Sequence, residues 1–177
     1  MSLLHIPPVE ETSDDVKKIF AEIESTIGSV PNGMKLWSVN PRALKAQWAG
    51  MKSILSRPQE EQKLFTIIRY LVSDENECSY CIGLNGAMLM NYYGVTQDEL
   101  VAMKKTPSSA PLDKKNKALL IFAMKALKGA DSVSQKDIEL LKKLDISEKE
   151  MFNIVLAASH MFVVNTLFKT FKVEPDV

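Results

Sequence analysis

The chain has 177 residues, of which 46% are hydrophobic and 25% charged, and this apolar content excludes a disordered or low-complexity protein. Because 22 Lys and Arg residues balance 22 Asp and Glu residues, no basic excess favours binding to nucleic acid or to an anionic membrane. Only two cysteines occur, so a small scaffold held together by disulfides is excluded as well.

The first half of the chain predicts helices separated by short polar breaks. Apolar residues recur at helical spacing after Ser13, a favourable N-cap, and this run stops at Gly28. The Pro31, Asn32 and Gly33 sequence predicts a turn. Further helix starts are predicted at Asn40, Pro58, Cys78 and Thr96, and the helices are interrupted by the polar run SDEN, by Gly94 and by Pro107.

The second half continues the same pattern. Its predicted helices start at Asp113, Ser134 and Ser147. No stretch alternates apolar and polar residues long enough to predict a strand. The segment 106–113 is the best linker candidate, but the sequences on both sides of it need outside surface to bury against. We therefore predict one all-α domain of about eight helices over residues 1–177.

The segment from Met151 to Phe168 carries no formal charge and needs separate interpretation. Its length is near the lower limit for a membrane span, which takes about 20 mostly apolar residues. Polar side chains such as Asn153, His160 and Asn165 fall on several sides of a helix, and each would need a partner inside hydrocarbon. A helix in a protein core or subunit interface fits better. Since the N-terminus also lacks the basic region of a signal peptide, we expect a cytoplasmic protein outside any membrane.

The chemistry is concentrated in the segment SDENECSYCIGLNGAML, which contains Cys78 and Cys81. On a helix these two thiols lie one turn apart on one face, close enough to form a disulfide. If the pair opens the helix, the free backbone N–H groups and the helix dipole favour a thiolate and lower a thiol pKa. A dithiol in a chain with no other cysteine is therefore a redox candidate.

Three other interpretations of the pair compete with redox chemistry. The thiols could be small, inert core residues, since free cysteine is among the most buried residue types. A zinc site usually needs four ligands, and the two histidines, His5 and His160, are remote in sequence. Attachment of a c-type haem would need a histidine directly after Cys81, where Ile82 stands.

The residues around the cysteines add a family resemblance. An all-helical chain with the pattern V-S-x-x-N-x-C-x-Y-C resembles the alkylhydroperoxidase D-like family of the carboxymuconolactone decarboxylase superfamily. The positions that carry the pattern are Val72, Ser73, Asn76, Cys78, Tyr80 and Cys81. The segment YYGVTQDEL and the later helices, including Asn165, are also similar to that family, so the resemblance covers roughly residues 30–170.

The resemblance implies a helical subunit that assembles into trimers or hexamers and reduces hydroperoxides with its Cys-x-x-Cys pair. In the family, a Glu on the preceding helix and a His four residues after the second cysteine relay protons to the thiols. Here Thr66 and Asn85 stand at those positions, and Tyr80 lies between the cysteines, as in many peroxidase-related members. Neither Thr nor Asn is a base near neutral pH. We therefore expect slow turnover.

The sequence predicts a thiol-dependent redox protein, either a peroxidase or a thiol–disulfide oxidoreductase, without cofactor or metal. We expect Cys78 to be the more exposed nucleophile and Cys81 the resolving thiol. The expected partners are a hydroperoxide substrate, a dithiol reductant and further copies of the chain. His160 could be a substitute base or a packing residue, and Asn85 a hydrogen-bonding remnant of the relay or a packing residue. The alternative function is a non-catalytic helical oligomer or binding module that keeps a relic cysteine pair.

Overall fold

The computed structural model describes residues 2–176, and over this range the chain forms nine α-helices and no strand. The helices are α1 (Asp14–Ile27), α2 (Asn32–Trp37), α3 (Pro41–Leu55), α4 (Gln59–Glu75), α5 (Ser79–Tyr93), α6 (Gln97–Lys105), α7 (Lys114–Lys128), α8 (Gln135–Lys142) and α9 (Glu148–Thr170). Short 3-10 turns occur at Val9–Glu11, Pro107–Ser109 and Ala130–Ser132. The predicted all-α class is confirmed.

The helix that the sequence pattern missed is α2. We predicted a turn at Pro31, Asn32 and Gly33, and this prediction was wrong, because the last two residues begin a helix. The fixed φ of proline suits a position just before a helix. The Pro31 carbonyl accepts the N–H groups of Met34 and Lys35 at 2.8 and 3.0 Å, so this residue nucleates a helical turn.

Most helix ends lie where their capping residues predict them. The Ser13 side chain accepts the Val16 N–H, and Gly28 closes α1 in the left-handed region with φ of 87°. Capping boxes begin α6, α8 and α9, and they are Thr96 with Glu99, Ser134 with Asp137 and Ser147 with Glu150.

The helix break at the polar run SDEN comes later in the sequence than predicted. Helix α4 continues through Glu75, and the break is confined to residues 76–78. The Cys78 N–H donates to the Ser73 carbonyl at 2.9 Å and the Glu77 N–H to the Asp74 carbonyl at 3.0 Å. These two bonds form a Schellman motif, with Glu77 in the left-handed region at φ of 52°. The motif reverses the chain sharply and leads directly into the cysteines.

The described residues divide into two compact units. One unit comprises the chain up to Arg57 together with the residues from Leu167 onwards, and its core is built by α1, α2 and α3. Its buried side chains are Val16, Phe20, Ile23, Met34, Leu44 and Trp48. The Trp48 indole N–H donates to the Glu22 carboxylate at 2.9 Å, which satisfies the polar atom of this buried ring. The single domain over residues 1–177 stays a prediction.

The other unit, Pro58–Thr166, contains both cysteines. Helix α4 packs against α5 and α7, and every α4 residue from Leu64 to Ser73 except Arg69 is buried. Such a helix has no single apolar stripe, because neighbours cover it on nearly all sides. It thus provides a rigid support for the start of α5.

Helix α9 is buried along one face only. Met151, Ile154, Ala158 and Met161 are buried, while Phe152 on the other side is 68% exposed. By length and composition the helix could cross a membrane, although 39% of the relevant stretch is buried inside the protein. The face of α9 that points toward the unit's interior carries Asn165, whose side-chain amide donates to Ser73 near the cysteines.

Candidate functional site

The two thiols meet at the start of α5, as their spacing predicts. Cys78 is the N-cap residue and Cys81 lies in the first turn, with their sulfurs 2.6 Å apart. Both are free thiols in hydrogen-bonding contact. A small rotation of either side chain would bring the sulfurs to bonding distance, because the two residues already lie one helical turn apart.

The expected difference in exposure between the two thiols is not found. Cys78 is 1% exposed and Cys81 is 2% exposed, so exposure does not identify the nucleophile. Cys78 ends the Schellman motif, and Cys81 lies in the first turn of α5, the helix that packs against α4.

The pKa of the Cys81 thiol is raised well above its ordinary value. The main cause is its hydrogen bond with Cys78, followed by burial. When two thiols share one hydrogen bond, ionisation of one opposes ionisation of the other, so the pair loses its protons in two separate steps. Ser73 and Asn165 act in the opposite direction, because their side chains hydrogen-bond to the Cys81 sulfur and lower its pKa.

A connected hydrogen-bond network lies beside Cys81 and consists of Ser73, Asn76 and Asn165. We call this network the amide–hydroxyl chain. The Asn76 amide donates to the Asn165 carbonyl oxygen at 3.0 Å, and the Asn165 amide donates to the Ser73 hydroxyl at 3.1 Å. The side chains of Ser73 and Asn165 are fully buried. In the sequence these three positions are only markers of the family resemblance. For Ser73 and Asn76, proximity to the cysteine motif was the available signal for a direct role, whereas Asn165 is distant in sequence and carried no such signal.

Thr66 and Asn85, which stand at the family's relay positions, are both buried and engaged elsewhere. The Thr66 hydroxyl donates to the Gln62 carbonyl at 2.8 Å and accepts from the Arg69 guanidinium at 3.1 Å. The Asn85 amide donates to the Cys81 backbone carbonyl at 2.8 Å. Asn85 therefore supports the helix that carries Cys81, and its hydrogen bond is to the backbone instead of the sulfur.

Tyr80 and His160, the remaining predicted site residues, differ in their surroundings. Tyr80 is buried in the first turn of α5, beside the two cysteines in the chain. His160 lies exposed on α9, and partial desolvation lowers its pKa. Five residues along a helix correspond to a rotation of about 140°. His160 therefore points well away from the α9 face that carries Asn165.

The part of the chain that the structure describes contains no cluster of side chains suited to bind a metal ion. Within residues 2–176, no three His, Cys, Asp or Glu side chains are grouped closely enough to hold a metal ion. The chemistry that the site can support is that of two adjacent thiols in a buried, hydrogen-bonding environment.

Comparison with known proteins identifies the fold. Neither a protein-family model nor a curated protein matches the chain. Among solved structures, a peroxidase-related protein with the alkylhydroperoxidase AhpD core from Ralstonia eutropha JMP134 has a TM-score of 0.84 at 22% identity. The alignment covers 99% of this chain and 92% of that protein. A peroxidase-related protein from Silicibacter sp. TM1040 gives a TM-score of 0.83 at 22% identity, with the same two coverages.

A third structural neighbour is a variant of the debrominase Bmp8 in complex with 2,3,4-tribromopyrrole. Its TM-score is 0.73 at 18% identity, over 100% of this chain and 95% of that protein. Three helical proteins thus share the arrangement over nearly their whole lengths. The chain has the alkylhydroperoxidase D-like helical fold, as the cysteine motif and its surroundings predicted.

Proposed function

We propose that this protein is a thiol-dependent redox enzyme that cycles between a dithiol and a disulfide at Cys78 and Cys81. The observation that carries the proposal is the 2.6 Å separation of two free sulfurs at a helix start. The fold agrees with it, because two structural neighbours are named peroxidase-related proteins. A hydroperoxide is the proposed oxidising substrate.

In the first step the Cys78 thiolate attacks the outer oxygen of the hydroperoxide. A sulfur–oxygen bond forms, the oxygen–oxygen bond breaks, and the alkoxide leaves, taking a proton from water to become an alcohol. Cys78 is assigned as the nucleophile because, as the N-cap residue of α5, it lies at the positive end of the helix dipole, which favours a thiolate.

In the second step Cys81 attacks the Cys78 sulfenic acid. The sulfur–sulfur bond forms, the sulfur–oxygen bond breaks, and hydroxide takes up the Cys81 proton to leave as water. An external dithiol then reduces the disulfide by thiol–disulfide exchange and is itself oxidised. The cycle as written needs no metal or organic cofactor.

The test is peroxide-dependent disulfide formation in the intact protein. After treatment with an organic hydroperoxide, mass spectrometry of the peptide that contains both cysteines should show the loss of two hydrogens, and dithiothreitol should restore them. Cys81→Ala should instead accumulate a sulfenic acid that dimedone traps at Cys78. Persistent free thiols, or disulfides only between chains, would contradict the proposal.

The second candidate is a non-catalytic helical oligomer or binding module that keeps a relic cysteine pair. The observation that favours it is that Thr66 and Asn85, neither of which is a base, stand at the family's relay positions and hydrogen-bond to backbone carbonyls. Under this alternative both thiols would resist alkylation in the folded protein at every pH up to about 9. Alkylation that rises with pH would exclude it.

A further inference from the structure

We propose that the amide–hydroxyl chain stabilises Cys81 as the resolving thiolate and thereby recovers part of what a general base would contribute to disulfide closure. The assignment of Cys81 as the resolving thiol rests on the proposed function. The hydrogen bonds themselves are independent of it. Ser73 and Asn165 touch the reacting sulfur, whereas Asn76 is a positioning residue that acts through Asn165.

The hydrogen-bond donors of the amide–hydroxyl chain all point in one direction, toward the Cys81 sulfur. Because the Asn165 carbonyl oxygen accepts from Asn76, its NH₂ group is fixed on the opposite side, toward Ser73 and the Cys81 sulfur. A serine hydroxyl has one hydrogen and two lone pairs. The Ser73 oxygen accepts from Asn165, so its single hydrogen is available for the sulfur. Two neutral donors therefore converge on Cys81, and both favour its anionic form.

Burial makes these two donors matter more than they would at a surface. Ser73 and Cys81 are at most 2% exposed, and Asn165 is 1% exposed. Water has little access to such a position and cannot replace a lost donor, so removing one partner costs more than at an exposed site. A thiolate at Cys81 depends on the protein for its solvation.

The timing of ionisation follows from the same contacts. While both thiols are reduced, the hydrogen bond with Cys78 keeps Cys81 protonated. Once Cys78 is a sulfenic acid, the hydrogen bond between the two thiols, which is the largest contribution that opposes ionisation of Cys81, no longer exists, although burial still opposes it. The Ser73 and Asn165 donors remain. The Cys81 proton then passes to the departing hydroxide, and the thiolate closes the disulfide.

The test measures ionisation of Cys81 alone, in the Cys78→Ala background. The rate of iodoacetamide alkylation as a function of pH gives the apparent pKa of the single remaining thiol. Ser73→Ala should raise that pKa by about one unit, which lowers alkylation at pH 7 about tenfold, because one hydrogen bond to a charged group is lost. Asn165→Asp, which keeps the shape of the side chain, should also raise it, because a carboxyl group has no NH₂ donor for the sulfur.

Matched controls separate this effect from a general loss of packing. Ser38→Ala and Asn116→Ala remove a buried hydroxyl and a buried amide far from the cysteines in sequence and should leave the pH profile unchanged. Circular dichroism should show full helicity for each variant. An unchanged profile in both Ser73→Ala and Asn165→Asp, or an equal shift in the controls, would overturn the inference.

A second readout tests the resolving step with both cysteines present. After a single addition of hydroperoxide, Ser73→Ala should close its disulfide more slowly and give more dimedone adduct at Cys78 than the parent. Equal adduct yields would overturn the resolving role. A shifted Cys81 profile with no disulfide at all would instead refute the proposed function, while it would support the effect of the amide–hydroxyl chain on the pKa of Cys81.

Discussion

At the residue scale, the missing relay groups set the expected speed of the reaction. General-base assistance contributes about 10²- to 10⁴-fold to proton-transfer steps, and neither Thr66 nor Asn85 can supply it. Hydrogen-bond donors such as Ser73 stabilise a thiolate without accepting its proton, so they recover part of this contribution. A slow peroxidase is the consistent expectation.

The first prediction restores the relay. The Asn85→His and Thr66→Glu double variant should consume an organic hydroperoxide at least about tenfold faster than the parent, with a chemical dithiol as reductant. The Arg69 guanidinium, which donates to Thr66 at 3.1 Å, would pair with the new carboxylate and keep it ionised. That carboxylate could orient the new imidazole one turn beyond Cys81, and the imidazole could accept the thiol proton.

Each single variant should gain less, because the two groups act as a unit. A parent enzyme that is already fast would contradict the expectation of slow turnover. A folded double variant with no gain would support the relic-pair alternative.

At the element scale, the turn before Cys78 carries identifiable backbone strain. Glu77 occupies the left-handed position of the Schellman motif, where a glycine is usual. A non-glycine residue costs about 1–2 kcal/mol in this region, and the greater freedom of glycine in the unfolded chain offsets about 0.4–1 kcal/mol. The two effects leave a net advantage for glycine of between zero and about 1.6 kcal/mol.

The second prediction is that Glu77→Gly raises the thermal midpoint by about 2–4 °C, the shift expected for about 1 kcal/mol in a chain of this size. Glu24→Gly, at an exposed position inside α1, is the matched control and should lower the midpoint, because glycine weakens a helix interior. A fall in the midpoint for Glu77→Gly would show that the side chain contributes more than its backbone strain costs.

The start of α9 is a second element whose stability can be tested. Burial opposes ionisation of Glu150, but the Lys115 ammonium at 2.8 Å and the Ser147 hydroxyl and N–H groups prevail and lower its pKa to about 2. Because the folded pKa lies below the unfolded value, the carboxylate stabilises the fold fully above about pH 4.5. That contribution is lost as the pH falls toward 2.

The third prediction is that Ser147→Ala lowers the free energy of unfolding by about 1 kcal/mol at pH 7, the usual cost of losing an N-cap. Near pH 2 the difference from the parent should shrink, since Glu150 becomes protonated and accepts less strongly. Urea unfolding at the two pH values measures both quantities. Ser25→Ala, an exposed serine inside α1, is the control and should change little at either pH. An equal deficit at both pH values would rule out the coupling.

These elements also show what the sequence could and could not predict. Caps such as Ser13 and Ser147 were predictable, because a side chain that binds an N–H three residues away is a local interaction. Helix α2 was missed, since Pro-Asn-Gly is equally typical of a turn. The contact of Asn165 with Ser73 spans 92 residues, so only the packing of α9 against the unit's interior could reveal it.

At the scale of the whole molecule, the outer face of α9 presents exposed apolar side chains. Phe152, Leu156 and Val163 are 68%, 57% and 50% exposed and recur at helical spacing, so they form one apolar stripe. A large exposed apolar stripe on a helix more often marks an interaction surface than a surface that stays in contact with solvent. Fully burying each such side chain contributes about 1.5–3 kcal/mol, so the three could drive association without any ion pair.

The fourth prediction is that the protein is a homo-oligomer held together in part by this stripe. Sedimentation at micromolar concentration, without lipid or detergent, should give a species larger than one chain. The Phe152→Glu and Leu156→Glu double variant should dissociate into smaller species while keeping its helicity, because two charges cannot be buried without partners. Leu140→Glu replaces an equally exposed leucine on α8 and should leave the assembly intact.

A monomeric parent would contradict the interface, and a parent that stays in solution only with detergent would assign the stripe to a membrane. Dissociation of the double variant would by contrast establish the outer face of α9 as the subunit contact, on the side of the helix away from Asn165.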